Sequence, residues 1–484
     1  MKRALFITFS ILSVLILVGW VTVFLLRPPV LVLPEKVEIF LKDVTIIVPG
    51  QTRLAGQSIL IRDSRIDQII PADTSLTANH FSKNNYRGAF VLPGLIDMHG
   101  HFPPDIAVGN PELFAFLFLM HGVTTVRDMG SAGEGIFELR KKIQNGDIPG
   151  PRIFSSGAII DGNPAVFPTN LVIEHKEDAV EAVRKLAEKG ADFVKVYNSI
   201  LPEVLAAIQE EAARRSIPVI GHVPVAIPFE TANLADVQHF TGVPVFDDPE
   251  AVQFLDYRFE DIIGVDSLRI QEIIRVSLEK DIAHTPTLIN QVSRRQMVDP
   301  GNHKSRSTVK LLPSFWQTAW HFIWKAPYET GGGEIHHQFT EKMKWIAGQF
   351  HQSGVSIHAG TDTMMPYVIP GESLHGELQQ LVEAGLTPEA ALAAATSVPR
   401  AFLSDNDLGN ISEGAPADLL IFREDPTKNL AALSTMEAVI ADGRLYSKDE
   451  FQAYHSRYQA HFHSAFYENI MGFIVGLAKY GFAK

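Results

Sequence analysis

The chain has 484 residues, enough for one domain of about 250 residues and a smaller second one. Its hydrophobic content of 46% and charged content of 20% are typical of globular proteins and exclude a largely disordered chain. The formal net charge is −13 and no basic tract is present, so nucleic acid is not expected as a partner. The absence of cysteine excludes disulfides, thiolate metal sites and a cysteine nucleophile.

An uncharged run of 23 residues, Ala4–Leu26, follows Lys2 and Arg3. As a helix this run would be roughly 34 Å long, which is enough to cross a bilayer. Positive charge before it favours an N-terminus that stays in the cytoplasm. We therefore predict that residues 1–30 form an uncleaved transmembrane anchor, with the rest of the chain outside the cytoplasmic membrane. The alternative is a cleaved signal peptide and a secreted protein, but the run is long for such a segment and no small-x-small site closely follows it.

The body of the chain is predicted to contain two domains. Short alternating strands separated by turn residues occupy residues 36–91 and return at 404–448, so both ends are expected to form one small β domain. Residues 92–403 alternate strand and helix patterns, which indicates parallel βα units. Eight strand candidates predict an α/β fold, a (β/α)8 TIM barrel: Leu92–His99, Val123–Arg127, Arg152–Gly157, Phe193–Tyr197, Pro218–His222, Asp236–Phe240, Ala283–Leu288 and Val355–Asp362. Residues 449–484 are predicted to form a helical tail.

Polar residues occur where the strands of such a barrel end, which is where its reactive groups lie. The first strand ends in His99 and His101, and alternation along a strand directs both imidazoles to the same side. His222, His239 and Asp362 end the fifth, sixth and eighth strands. Imidazole nitrogens and carboxylate oxygens are common ligands of zinc and related metals, so this pattern predicts a metal centre.

Lys195 lies in an apolar stretch of the fourth strand, where burying an ammonium group is costly. Two interpretations are open. A carboxylate such as Asp362 could pair with the lysine, or CO2 could carbamylate it to give an anionic oxygen ligand that bridges two cations. The surrounding histidines favour the carbamate.

Together these motifs resemble those of the amidohydrolase superfamily. The matching elements are Pro93–His101, Gly122–Asp128, Lys195, His222, His239 and Ala359–Asp362. Gly414–Ile421 is similar to the family's returning β-sandwich strand, so the resemblance implies that the small domain is a composite β-sandwich. Among the branches, the chain is most similar to the prolidase and imidazolonepropionase-related group, which includes dipeptidases that cut before a C-terminal residue.

The resemblance implies a centre of two divalent metal ions, with zinc as the default. The ligands would be His99, His101 and Asp362 on one ion, His222 and His239 on the other, and carbamylated Lys195 between them. The implied reaction is hydrolysis of an amide bond by a metal-bridging hydroxide, with Asp362 passing the proton to the leaving amine. The expected substrate is a small molecule, a dipeptide or an N-acyl amino acid, and the enzyme could form homo-oligomers.

Other functions stay open. On the same scaffold, the chain could hydrolyse cyclic amides or lactones, or deaminate its substrate, although deaminases of the family usually lack the bridging lysine. From a different class, it could be a non-catalytic scaffold protein, but such descendants commonly lose metal ligands.

Tyr197 and His284 are the predicted catalytic residues besides Asp362. Tyr197 lies two residues beyond Lys195, on the same side of the strand, and could donate a hydrogen bond to an oxyanion. His284 lies in the seventh strand, where substrate contacts are often found in such barrels. For each of them a structural role is about as plausible.

Several further polar and aromatic residues could have either a functional or a structural role. Asp97 could orient an imidazole or cap the end of its strand. For Arg127, Asp128, His358 and Tyr367 a structural role is at least as plausible as contact with substrate. The tryptophans of the segment after strand seven have helical spacing, which favours a packed helix face over a roof above the substrate or a belt at a membrane surface; they are Trp316, Trp320 and Trp324.

Overall fold

The computed structural model describes residues 2–74, 86–131, 133–245, 259–298, 307–329, 332–403 and 408–482. They form an α/β fold. Its strands are β1 Ile39–Val48, β2 Thr52–Arg62, β3 Arg65–Pro71, β4 Phe90–Pro93, β5 Leu95–Gly100, β6 Val123–Asp128, β7 Arg152–Ser155, β8 Ile160–Asp161, β9 Leu171–Val172, β10 Val194–Val196, β11 Val219–Gly221, β12 Asp236–Gln238, β13 Ala283–Thr285, β14 Leu419–Phe422, β15 Met436–Ala441 and β16 Arg444–Ser447.

Helices fill most of the intervals between these strands. They are α1 Lys2–Leu26, α2 Asn110–Met120, α3 Gly135–Gln144, α4 Lys176–Glu188, α5 Pro202–Arg214, α6 Phe229–Ala232, α7 Phe259–Ile263, α8 Ser267–Lys280, α9 Leu288–Val298, α10 Phe315–Glu329, α11 Gly332–Gln352, α12 Glu372–Glu383, α13 Pro388–Ala394, α14 Pro399–Phe402, α15 Lys448–Phe462 and α16 Ala465–Phe482. Short 3-10 helices occupy Ser307–Leu311 and Leu430–Thr435.

A seven-stranded sheet combines strands from both ends of the chain, in the order β16-β15-β14-β4-β1-β2-β3. Its two halves meet where β4 pairs with β14, antiparallel, with Leu92 opposite Leu420 and Val91 opposite Ile421. Strand β4 also pairs with β1, in the parallel direction. The buried side chains of these strands are aliphatic, as expected for one face of a sheet packed on its own core.

Two parallel sheets carry the central part of the chain, ordered β5-β6-β7 and β13-β12-β11-β10-β8-β9. Every residue of β5 and β6 is buried, because helices cover the sheets. Backbone hydrogen bonds connect the sheets, from Asp192 N to Ser155 O and from Met98 N to Ala359 O. The predicted eighth strand forms only a bridge, between Ile357 and His284. A closed eight-stranded barrel stays a prediction.

Helix α1 ends against the C-terminal helices. Leu26 is buried, and its carbonyl oxygen lies 3.1 Å from Nε2 of His461 on α15. Among the described residues, no helix combines the length and apolar character needed to cross a membrane. The transmembrane segment predicted at residues 1–30 therefore lacks structural support.

The tryptophans of α10 pack inside the protein where their side chains are described. Trp316 donates a hydrogen bond from Nε1 to Asn110 Oδ1 at 2.9 Å. Trp320 is 2% exposed and donates to the backbone oxygen of Met364 at 3.0 Å. The packed helix face is therefore the correct interpretation for these two residues. The side chain of Trp324 lies outside the described residues.

Candidate active site

Four imidazoles converge at the ends of three strands. His99 and His101 lie at the end of β5, and the residues directly after β11 and β12 are His222 and His239. The ring centroid of His99 lies 5.3 Å from that of His101 and 4.8 Å from that of His239. The rings of His222 and His239 are 5.0 Å apart. Residues separated by up to 140 positions in sequence thus form one cluster.

Asp362 lies within this cluster and contacts it with both carboxylate oxygens. Its Oδ1 is 3.3 Å from Nε2 of His99 and 3.3 Å from Nε2 of His101, and its Oδ2 is 3.9 Å from Nε2 of His239. In the described part of the chain, His99, His239 and Asp362 are the group whose ligand atoms all lie within 4.8 Å of one another. Burial alone would raise the pKa of Asp362, but the adjacent histidines outweigh it and lower that pKa well below its usual range.

The backbone at the cluster adopts strained conformations. Asp362 has φ of 62° and His239 has φ of 56°, in the left-handed region that residues other than glycine seldom occupy. Such conformations cost about 1–3 kcal/mol each and persist where the surrounding structure enforces them, often at functional sites.

Three of the four imidazoles are held at Nδ1 by a neighbouring group. The pairs are His101 with Gly130 O at 2.6 Å, His222 with Asn198 Oδ1 at 2.8 Å, and His239 with Thr287 Oγ1 at 2.6 Å. A partner at Nδ1 fixes the ring orientation and leaves Nε2 to act as a ligand, which is the usual arrangement around protein-bound metals.

His99 has no such partner. It is fully buried, and within the described part of the chain neither of its ring nitrogens has a hydrogen-bond partner. Burial, together with the charge of Lys195, lowers its pKa to about 3, so the ring is neutral near pH 7 and keeps a lone pair. Buried nitrogens without hydrogen bonds, beside a carboxylate and other imidazoles, fit a divalent metal such as zinc.

Lys195 and Tyr197 lie beside the histidines. Lys195 is 1% exposed on β10, and its Nζ is 5.4 Å from the centroid of the Tyr197 ring. The Tyr197 ring lies 3.9 Å from the ring of His222. All six predicted metal ligands and the predicted Tyr197 are therefore in one region.

His284 is not in this region. Its Nε2 lies 2.9 Å from Ser277 Oγ on α8, and its ring packs 4.7 Å from that of Phe350. The reason is the alternation of side chains along β13. Thr285 points into the interior, where it donates to Asp236, so His284 points to the surrounding helices. The prediction that His284 is catalytic is therefore corrected to a structural role.

Other residues considered as substrate contacts are occupied elsewhere. Arg127 pairs with Asp236 at 3.0 Å, both fully buried, and His358 Nδ1 lies 2.8 Å from the second oxygen of Asp236. Asp128 accepts hydrogen bonds from the hydroxyls of Ser131 and Ser155. These contacts give all three candidates structural roles.

Asp97 and Tyr367 are buried and make structural contacts near the site. Asp97 accepts from the backbone nitrogens of His99 and Thr361, so it holds the backbone of the site rather than an imidazole. Burial raises the pKa of Asp97 to about 7. Tyr367 is 1% exposed and packs against Trp320 at 5.2 Å.

Three polar residues at the site were not predicted: Asn198, Thr287 and Asn290. The first two hold His222 and His239, and Asn290 donates from Nδ2 to Asp362 Oδ2 at 2.6 Å. The available signal was their position, since Asn198 and Asn290 closely follow predicted strands and Thr287 lies near the end of one, where reactive groups are found.

Comparison with known proteins identifies the family. The model of the amidohydrolase family matches residues 90–446, most of the chain. The chain belongs to the amidohydrolase family. An ochratoxinase of Aspergillus niger is 23% identical over 485 residues, with 85% of this chain and 87% of the ochratoxinase covered.

Solved amidohydrolase structures share the fold. A bottromycin amidohydrolase matches with a TM-score of 0.69 and 20% identity, over 88% of this chain and 90% of its own. A putative prolidase from Bifidobacterium longum matches with a TM-score of 0.65 and 25% identity, over 88% of this chain and 100% of its own. The predicted family and enzyme class are confirmed: the chain is a hydrolase that acts on carbon–nitrogen bonds. The alternative of a non-catalytic scaffold protein loses its support.

Proposed function

We propose that this amidohydrolase is a metal-dependent enzyme with two metal ions that cleaves the amide bond of a dipeptide or an N-acyl amino acid. The observation that carries the proposal is the cluster of four imidazoles around Asp362, with three of the rings held at Nδ1 by a neighbouring group. Its donor atoms suit zinc.

The ligand groups would be divided as the family resemblance implies. His99, His101 and Asp362 would hold one ion, His222 and His239 the other, and a carbamate on Lys195 would bridge them. Divalent ions bound here would supply an activated water and polarise the scissile carbonyl. The ammonium of an unmodified lysine has no lone pair to bind a metal, so Lys195 could act as a ligand only as its carbamate.

The protein's own residues provide positioning and proton transfer. The Asp362 carboxylate would take a proton from the attacking water and deliver it to the nitrogen of the leaving amine as the carbon–nitrogen bond breaks. Tyr197, beside His222, would donate a hydrogen bond to the oxygen of the carbonyl under attack.

The similarity to a prolidase and to an ochratoxinase supports the choice of an amide over other carbon–nitrogen bonds. Lys195, buried on β10, makes deamination a less suitable reaction, because deaminases of the family usually lack this lysine. Cyclic amides and lactones belong in the test as alternative substrates.

The test uses the full chain, purified and loaded with zinc in the presence of bicarbonate. Metal content is measured, and hydrolysis is followed for dipeptides, N-acyl amino acids, cyclic amides and lactones. We expect about two metal ions per chain and turnover of an acyclic amide. Bound metal with turnover of only lactones or cyclic amides would contradict the substrate class, and no bound metal would contradict the mechanism.

Lys195→Ala tests the carbamate, with Lys185→Ala as its matched control. Lys185 lies on α4, where its side chain is 61% exposed and pairs with Glu181 at 3.4 Å. We expect Lys195→Ala to lose two-metal occupancy and activity, and Lys185→Ala to keep both. A Lys195→Ala enzyme that binds two ions and stays fully active would refute the carbamate.

We also propose that helix α1 holds the enzyme at the outer side of the cytoplasmic membrane. Support comes from the positive charges that precede the uncharged run and from large apolar side chains that are exposed on α1, including Leu15, Trp20 and Phe24. Fractionation of cells that express the full chain is the test. Recovery of all enzyme without detergent would contradict the proposal.

A further inference from the structure

Asp362 is held by a residue that does not belong to the predicted ligand set. Asn290, on α9, is completely buried, and its Nδ2 donates to Asp362 Oδ2 at 2.6 Å. The other oxygen, Oδ1, faces Nε2 of His99 and of His101 at 3.3 Å each. The two oxygens of one carboxylate therefore have different neighbours: Oδ1 faces two imidazoles, whereas Oδ2 accepts from the amide and lies 3.9 Å from Nε2 of His239.

Two neighbouring residues, Ile289 and Thr287, anchor the first turn of α9, in which Asn290 lies. On one side, Glu377 of α12 is completely buried and accepts a hydrogen bond from the backbone nitrogen of Ile289 at 2.7 Å. On the other, Thr287 has φ of 52°, a conformation that a β-branched residue adopts only under constraint, and its hydroxyl lies 2.6 Å from Nδ1 of His239. The start of α9 thus contacts two groups of the site through two different residues.

The chemistry of an amide suits this contact. An ionised carboxylate only accepts hydrogen bonds, so the NH2 group of Asn290 and not its carbonyl must face Asp362. An arginine or lysine could donate as well, but its positive charge would repel the cations that the site is proposed to bind. A neutral donor orients the carboxylate without that repulsion.

We propose that Asn290 is a positioning residue for Asp362: it binds Oδ2 and thereby directs Oδ1 to the imidazoles. The inference rests on the proposed function, in which Asp362 is both a ligand and the proton carrier. Loss of the amide would let the carboxylate rotate, so proton transfer would suffer more than substrate binding. Groups that orient metal ligands in this way typically contribute about 10- to 100-fold in metal affinity or activity.

The test compares Asn290→Leu with Gln291→Leu in the full chain. Gln291 follows Asn290 on α9 and is 1% exposed, and no contact to Asp362 is found for it in the described structure, so it controls for the loss of a buried amide. We expect Asn290→Leu to lower kcat by about 10- to 100-fold with KM nearly unchanged, and to weaken zinc binding. Gln291→Leu should leave kcat, KM and zinc affinity close to those of the wild type.

Asn290→Asp is a second variant of the same shape that replaces the donor with an acceptor. At a pH high enough to ionise both carboxylates it should lower kcat at least as much as Asn290→Leu, because two negative charges would then face each other; at lower pH a shared proton would restore the hydrogen bond. Crystal structures of the metal-free wild type and variants give a readout without activity: the Asp362 carboxylate should turn away from its wild-type orientation in both Asn290 variants.

The outcomes separate the two proposals. An active wild type whose Asn290→Leu variant matches Gln291→Leu, or an unchanged Asp362 orientation in the Asn290 variants, overturns the role of Asn290. A wild type that neither binds zinc nor cleaves an amide overturns the proposed function, while the orientation of Asp362 still decides the positioning role.

Discussion

A buried ion pair near the histidines allows a quantitative prediction about the free energy of unfolding. Arg127 on β6 and Asp236 on β12 are both fully buried, with Nη2 and Oδ1 3.0 Å apart. Arg127 also donates from Nε to the backbone oxygen of Met98, next to His99. The pair therefore ties strands of the two parallel sheets together. We predict that Arg127→Met destabilises the protein strongly.

The expected magnitude follows from the charge left behind. Burial opposes ionisation of Asp236, but Arg127 and His358 outweigh it and hold its pKa below the usual range. Removing one member of a buried pair typically costs about 3–5 kcal/mol, because the other charge stays buried without compensation. A typical domain is stable by only about 5–15 kcal/mol, so the change is a large fraction of the total. Asp236→Asn should cost a similar amount.

The assay is urea unfolding of the metal-free protein, followed by circular dichroism. Arg184→Met is the control, since Arg184 forms its ion pair with Glu181 on the surface of α4, where a pair contributes about 0–1 kcal/mol. The double variant Arg127→Met with Asp236→Asn should cost less than the sum of the two single changes. A loss in Arg127→Met no greater than in Arg184→Met, or strict additivity in the double variant, would refute the reasoning.

Three more predictions concern the site and its surroundings. Thr287→Val removes the hydroxyl at His239 Nδ1 and should weaken zinc binding by about 10- to 100-fold in a metal titration, whereas Thr287→Ser should keep most of the affinity. Burial raises the pKa of Glu377 from 4.5 to about 8, so the folded state binds an extra proton between these values. The unfolding free energy should therefore fall as the pH rises from about 5 to 8, by at most about 1.4 kcal/mol per unit, and this contribution should vanish in Glu377→Gln; equal slopes would contradict it. Tyr197→Phe should lower kcat by about 10-fold or more at unchanged metal content, and full activity would exclude a donor role for the hydroxyl.

The residues of the imidazole cluster could be singled out from the sequence because each stands in a recognisable local pattern. His99 and His101 follow an apolar strand with one glycine between them, and His222 and His239 end similar short runs. The family resemblance then connects the runs. These local patterns can be recognised without knowing which residues are in contact in the folded protein, so one sequence is enough to find them.

The residues that hold the ligands could not be predicted in the same way. Asn198 lies 24 positions from His222, and Asn290 lies 72 positions from Asp362. Each is a single polar residue, Asn198 just after β10 and Asn290 in the first turn of α9, and no periodicity connects it to its partner. Only the approach of neighbouring strand ends in the folded protein defines these pairs.

The error at His284 has a different cause. Its strand was predicted at Ala283–Leu288 and spans only Ala283–Thr285, and three residues give too short a pattern to decide which side faces inward. Thr285, the smaller residue, takes the inner position beside Asp236. A shift of one residue exchanges the two sides of a strand, so the prediction failed on orientation rather than location.

The position of His99 is set in a different way from that of the other imidazoles. Since no hydrogen bond to its ring nitrogens is found among the described residues, we infer that close packing orients it. A Cβ at Gly360 would lie 2.7 Å from the His99 Cβ and 2.8 Å from its backbone nitrogen, closer than nonbonded atoms approach. The backbone nitrogens of Thr361 and Asp362 both donate to His99 O, at 3.2 and 2.6 Å. His99 and Asp362 are therefore fixed to each other through backbone contact that only a glycine at position 360 permits.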